Sequence, residues 1–296
     1  SYCKTESPVA ASFVSTYFLP AVLVIIMFGI GLSLERQDFV NVFRFPKPIF
    51  LGLFAQMILL PLVAFTIISL TDLPPEIKVG FIIISACPGG SASNLLNHLL
   101  RGNVALCVSL TALNSILIQI TMPLIVNLGL LVYMGHGEDI QLPIWETIFK
   151  VFFVTLLPTF AGVYVRARNL KMALKLEKPM KVIMTVLLFS VFAAIILLEE
   201  KEGGAGIFRY SYLLPYALAL NVGSMLVGYF FARSMGLDNR NNYTISIEVG
   251  LQNSALAIFV ATTLLNNRDM AIVAVVYSSF TFFSTALFGY LAKRLG

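Results

Sequence analysis

Charge is the scarcest property of this chain. Only 12% of its 296 residues are Asp, Glu, Lys or Arg, about half the share found in soluble domains. That scarcity excludes a disordered chain and an ordinary soluble enzyme. Cysteine is scarce too. There are three, an odd number, and Cys87 and Cys107 sit inside apolar runs, so a disulfide-stapled scaffold is excluded. The sequence has no HExxH, no P-loop, no GxSxG and no CxxC, so catalysis finds no foothold in it. What fills the chain is apolar: 58% hydrophobic residues and a mean hydropathy of +0.88. This is the composition of an all-α polytopic membrane protein.

A bilayer core about 30 Å thick needs about 20 apolar residues per helix. That ruler lays out nine spans, at 15–34, 49–70, 79–99, 104–134, 147–165, 181–198, 210–232, 243–265 and 270–292. No loop between them is long enough for a soluble domain, so residues 1–296 read as a single transmembrane unit. An odd number of spans puts the termini on opposite sides. Lys4, Lys78, Lys201, Arg209 and Arg268 fall on the side of the N-terminus, and Lys150 is uncounted at the start of a span. The remaining fourteen of the 20 basic residues fall on the other side. Positive residues gather in the cytoplasm, so the N-terminus is expected outside and the C-terminus inside a plasma (inner) membrane. The Arg166–Lys181 loop carries most of this bias, as an orientation signal rather than a nucleic-acid patch. Residues 1–14 show no charged segment followed by an apolar one, so no signal peptide is expected.

Two spans are interrupted. The third contains Cys87-Pro88-Gly89-Gly90-Ser91-Ala92-Ser93-Asn94, and the eighth contains Glu248-Val249-Gly250-Leu251-Gln252-Asn253-Ser254. Pro88 removes a backbone donor and two glycines relax the chain, so the helix should open there. An opened backbone is tolerated at membrane depth only against protein or a water-filled cavity. Each interrupted span follows one with a central polar residue, Gln56 or Asn221, and precedes a long apolar span. Spans 1–4 thus correspond to spans 6–9 in opposite orientation. This is the pattern of inverted-topology transporter repeats, in which paired discontinuous helices mark the site.

Glu248 is the one acidic residue set well inside a span. A carboxylate there is costly and marks function by default. No Lys or Arg of the same span can pair with it, which makes a small cation its natural partner; a protonated structural acid is the alternative. Hard cations take oxygen ligands. Ser93, Asn94, Thr111, Gln56, Gln252 and Asn253 supply them, with carbonyls at Val249 and Leu251. Half-helices starting near Ser91 and Asn253 present free N–H groups that favour an anionic substrate. Two monovalent cations, one carboxylate and one monoanion sum to zero, a composite able to cross a low-dielectric layer. His98 reads as a packing residue near a helix end, or a proton relay. Cys107 reads as a small packing residue one turn before Thr111.

The segments Pro88–Asn94, Arg101–Leu106 and Ile247–Ser254, with Met27–Leu32, Gln56 and Pro61, resemble the bile acid:sodium symporter family over essentially the whole chain. The resemblance implies sodium-coupled symport of an organic anion, a bile acid or a smaller carboxylate, usually with two Na+ ions. It implies a core (spans about 49–134 and 210–292) moving against a panel (spans about 15–34 and 147–198). One sodium is expected among Ser93, Asn94, Thr111 and Glu248. The other is expected among Gln56, Glu248, Gln252 and the carbonyls of Val249 and Leu251. Substrate is expected near Ser91, Asn253 and Ser254. Cys107 departs from the family pattern: it stands where a serine hydroxyl would help bind the first sodium. Tyr277–Ser284 lacks the His-Asn pair that bacterial relatives often carry. The partners expected are the anion and the bilayer, with no nucleic acid and no obligate protein. A proton-coupled carrier is the first alternative, an intramembrane enzyme on His98 and Glu248 the second, a channel the third.

Overall fold

A computed structural model describes residues 13–135, 142–201 and 207–295, and almost all of them are helical. In chain order the helices are α1 (Val14–Ser33), α2 (Arg36–Arg44), α3 (Pro46–Ser69), α4 (Pro75–Ala86), α5 (Ser91–Leu99) and α6 (Val104–Met134). There follow α7 (Ile144–Arg168), α8 (Leu170–Lys201), α9 (Leu214–Ser234), α10 (Asn239–Gly250), α11 (Ser254–Leu264) and α12 (Arg268–Lys293). Among the described residues, seven helices are long and apolar enough to cross a membrane: α1, α3, α6, α7, α8, α9 and α12. The third and eighth expected spans are each two helices, α4 with α5 and α10 with α11. They break at residues 87–90 and 251–253.

The expected loop between Arg166 and Lys181 is a correction. Helix α7 runs on to Arg168 and α8 begins at Leu170, so only Asn169 interrupts them. Asn169 leaves the helical conformation, with φ −144° and ψ 84°, and its Oδ1 accepts from Met172 N at 3.0 Å, capping α8. The basic residues there ride on helices held by ion pairs. Arg166 meets Glu35 at 2.5 Å and Glu177 at 3.4 Å, and it donates to the carbonyl of Leu32 at 2.9 Å. One guanidinium thus ties the ends of α1, α7 and α8.

Three long helices carry a π-helical turn just before a Leu-Pro pair: 14–18 before Pro20, 55–59 before Pro61 and 152–156 before Pro158. Proline has no N–H, and its ring clashes with the carbonyl four residues back, so the turn widens to a longer repeat. The turn at 55–59 carries Gln56.

Helix α1 packs against α7 and α8, while α4 packs against α3, α6 and α12, and α9 against α10 and α12. The two sets meet where α6 touches α7, α1 touches α11 and α8 touches α12. The α1–α7 contact is close because it is made by glycines. A methyl added at Gly31 would lie 2.8 Å from the Thr159 carbonyl carbon, and one at Gly162 2.7 Å from the Gly31 carbonyl carbon. At Gly29 it would meet only the flexible side chains of Met180 and Met184. Gly31→Ala should therefore cost about 1–3 kcal/mol or more, since backbone cannot move aside. Gly29→Ala should cost clearly less, and thermal unfolding in detergent reads the difference.

Candidate functional site

The two helix breaks cross each other. Gly89 and Gln252 form an antiparallel bridge. Gly90 N donates to the carbonyl of Leu251 at 3.0 Å, and Asn253 N to that of Pro88 at 2.9 Å. The backbone groups freed by opening both helices thus satisfy one another.

Other freed carbonyls are met from behind. Gln56 Nε2 donates to the Cys87 carbonyl at 3.0 Å, on the break between α4 and α5. Asn221 Nδ2 donates to the Gly250 carbonyl at 2.7 Å, on the break between α10 and α11, and Tyr277 adds its hydroxyl at 3.1 Å. The polar residue of the preceding long helix thus does the same job at both breaks. The turns after them match as well. Arg101 and Asn266 have positive φ, at 61° and 50°. Asn103 and Asn267 then cap α6 and α12, each accepting from the N–H three residues on at 3.1 Å.

Glu248 sits beside the crossing and is 1% exposed. Ser93 Oγ donates to its Oε2 at 2.5 Å and Cys107 Sγ to the same oxygen at 3.0 Å, while Thr111 Oγ1 donates to Oε1 at 2.9 Å. Helices α5, α6 and α10 thereby converge on one carboxylate, and among the described residues no Lys or Arg pairs with it. Gly89 makes this possible: a methyl there would lie 2.6 Å from the Glu248 carboxyl carbon.

Of the first expected ligand set, Ser93, Thr111 and Glu248 meet directly. Asn94 has a buried Oδ1 with no hydrogen-bond donor. In the second set, Gln56 Nε2 donates to Gln252 Oε1 at 2.7 Å, and Gln252 Nε2 to the Val249 carbonyl at 2.7 Å. The Leu251 carbonyl accepts from Gly90, and Gln56 Oε1 is buried without a donor. Among the described residues no three His, Cys, Asp or Glu side chains gather into a metal cluster. The groups on Glu248 are two hydroxyls and a thiol, while the amide and carbonyl oxygens of the second set bond one another at the crossing; oxygen groups of this kind suit a hard cation.

The expected substrate residues stand as follows. Ser91 begins α5, and its side chain lies outside what the structure describes. Asn253 Oδ1 caps α11, accepting from Leu256 N at 3.1 Å. Ser254 Oγ is bonded by Ser278 of α12. His98 is exposed on the last turn of α5 and is not a packing residue, because it lies on the open face with Leu95 and Leu99 while Leu96 and Asn97 face inward. Ser284 donates to Asn221 Oδ1 at 2.6 Å and so helps to hold the residue that supports the second break.

Residues 20–203 match the model of the Sodium Bile acid symporter family. The chain belongs to that family. It is 31% identical to the "Probable sodium/metabolite cotransporter BASS1, chloroplastic" of Arabidopsis thaliana, over 86% of this chain and 62% of that one. It is 30% identical to the "Uncharacterized sodium-dependent transporter YocS" of Bacillus subtilis, over 86% of this chain and 76% of that one. The ileal sodium/bile acid cotransporter of Oryctolagus cuniculus is 25% identical over 94% of this chain and 79% of its own. The chain spans under two thirds of the plant relative's length. With seven long apolar helices in a symporter family, it is an integral, multi-pass membrane protein.

Two buried residues among these groups are not among those expected from the sequence. Asn97, 0% exposed, donates to the Ser93 carbonyl and to Cys107 Sγ, both at 3.1 Å, and so steadies the group facing Glu248. Asn114, 1% exposed, lines a small cavity with Gln56, Cys87 and Pro88, and both its amide atoms lack protein partners. Their signal lies in helical spacing, since Asn97 follows Ser93 by one turn and Asn114 follows Thr111 by three residues.

Proposed function

We propose that the chain is a sodium-coupled symporter that carries an organic anion across a plasma membrane by alternating access. The observation that carries this reading is Glu248: a buried carboxylate, hydrogen-bonded by three side chains and faced by no cationic side chain among the described residues. In a dry interior such a group wants a compensating charge. Orphaned oxygens on Gln56, which reaches the first break, and on Asn94, next in the chain to Ser93, support cation ligation, because an acceptor without a donor suits a metal ion.

Two sodium ions fit the donors. Ser93, Asn94, Thr111 and Glu248 hold one, with Cys107 at its edge. Gln56, Glu248, Gln252 and the carbonyls of Val249 and Leu251 hold the other. Bound sodium supplies the charge that neutralises Glu248 and makes an anion welcome beside it. The start of α5 at Ser91, together with Asn253 and Ser254, receives the anion, a bile acid or a smaller carboxylate metabolite.

The architecture proposed is nine crossings, seven continuous and two broken, as inverted repeats with the N-terminus outside. The matched roles of Gln56 and Asn221, and of Asn103 and Asn267, support that repeat. The core is about 49–134 with 210–292, and the panel about 15–34 with 147–198. The packing of α1 on α7 and α8 supports the division. With two cations per monoanion the cycle moves one net charge, so the membrane potential helps drive it, by about 2.3 kcal/mol per 100 mV.

The test is the melting temperature of the purified protein in sodium against potassium at equal ionic strength. A ligand that binds only the folded state stabilises it by mass action, by roughly 2.7 kcal/mol at 100 times its Kd. A sodium-specific rise is expected. Equal melting in both salts, with uptake driven by a pH gradient, would move proton coupling on Glu248 to the front. Cys107 gives a second prediction. A thiol is a soft, weak ligand for a hard cation, and a hydroxyl is a good one. Cys107→Ser should lower the sodium concentration for half-maximal stabilisation about two- to tenfold, the worth of one added polar contact.

A further inference from the structure

We propose that α2 is an interfacial helix whose exposed face binds the headgroups of anionic phospholipids. Helix α1 ends at Ser33 and α3 begins at Pro46, and both are long and apolar enough to cross a membrane. The segment between them, 34–45, therefore lies at the membrane surface. One face of α2 is turned inward: it packs on α6, where Asn41, 6% exposed, donates to Ser109 Oγ at 3.4 Å.

The other face is open, and it is mixed in a particular way. Arg36, Val40, Phe43 and Arg44 follow one another at helical spacing, and all are exposed. Phe43 is 86% exposed. Phe45, which follows α2, and Phe50 of α3 are exposed as well, and Lys47 in the first turn of α3 adds a third cation. A large aromatic left bare beside cations is what the interface layer takes: rings dip toward acyl chains while long basic side chains reach up to phosphates.

The nearby acids do not neutralise the three cations. Asp38 accepts from Glu35 N at 2.7 Å, and Glu35 is paired with Arg166. Among the described residues none of Arg36, Arg44 and Lys47 forms an ion pair. The charge left over complements a negative lipid surface. By the distribution of basic residues this is the cytoplasmic side, where anionic lipids make the surface potential negative.

The test uses the full chain in nanodiscs. Its single tryptophan is removed by Trp145→Phe, and a reporter is placed by Phe43→Trp. Quenching by brominated phosphatidylglycerol is compared with quenching by brominated phosphatidylcholine at equal mole fraction. The expected preference for the anionic lipid is about fivefold or more, the worth of at least one basic residue at the surface. It should shrink in high salt, and added inorganic phosphate at constant ionic strength should leave it unchanged. Arg36→Gln with Arg44→Gln and Lys47→Gln should bring the ratio to about one, while Lys171→Gln with Lys175→Gln on α8 should leave it unaltered. Should the triple variant not fold, Arg36→Gln and Lys47→Gln alone should each lower the ratio. No preference in the reporter protein, or a preference these substitutions leave intact, overturns the proposal.

Discussion

Glu248→Gln is expected to abolish the sodium-specific rise in melting temperature and to reduce sodium-driven uptake at least a hundredfold. Glutamine keeps the shape and can still accept from one of Ser93 and Thr111, whose hydroxyls stand 2.5 and 2.9 Å from the two oxygens, while its amide N–H donates where the other oxygen stood. What it removes is the negative charge. A cation taken from water into a site that is 1% exposed then has only neutral dipoles to repay its lost hydration. In potassium the variant should melt at or above the native temperature, since an uncompensated buried charge is gone. Sodium stabilisation that survives Glu248→Gln would place the cation elsewhere and remove the observation on which the transport reading rests.

Gly89→Ala carries the second large effect, and Gly90→Ala is its control. A methyl at Gly89 would stand 2.6 Å from the Glu248 carboxyl carbon. Either the carboxylate leaves the hydroxyls of Ser93 and Thr111, or the crossing bonds from Gly90 to Leu251 and from Asn253 to Pro88 shift. Both outcomes spoil the cation donors, so uptake should fall at least tenfold, with a stability loss of about 1–3 kcal/mol. At Gly90 the nearest group to an added methyl is the Gln252 carbonyl oxygen at 3.6 Å, an ordinary contact. Gly90 also has a φ of −96°, which any residue adopts. Gly90→Ala should therefore keep near-native uptake. Equal behaviour of the two variants would mean that the approach of Gly89 to Glu248 does not govern the site. Proteoliposome uptake and detergent melting read both variants.

Much of this molecule is legible along the chain. Long apolar runs declare membrane helices because length and hydropathy are local quantities. The bounds 104–134 expected for one span are those of α6. The breaks at Pro88 and just after Gly250 are legible because proline, paired glycines and an acidic residue are anomalies inside apolar stretches. Other features are not local. The charged segment after Arg166 reads as a loop because hydropathy drops there, yet Asn169 restarts a helix, and Glu177 pairs with Lys181 one turn on and with Arg166 of α7. The π-helical turns before Pro20, Pro61 and Pro158 leave no mark in hydropathy. Asn97 and Asn114 look like ordinary polar residues, because what sets them apart is what surrounds them.

The sequence alone determined that this chain lives in a membrane, that two of its apolar stretches are interrupted, and that one carboxylate lies beside an interruption. Composition, periodicity and helix-breaking residues act along the chain, so they can be read along it. Only the tertiary structure decided which groups face Glu248. Ser93, Cys107 and Thr111 reach it from 155, 141 and 137 residues away. It also decided that the freed backbone of one break is satisfied by the other, and that Gln56 and Asn221 serve the two breaks alike. Hydrogen bonds between distant segments depend on how helices pack, and packing is fixed by the whole set of surfaces at once.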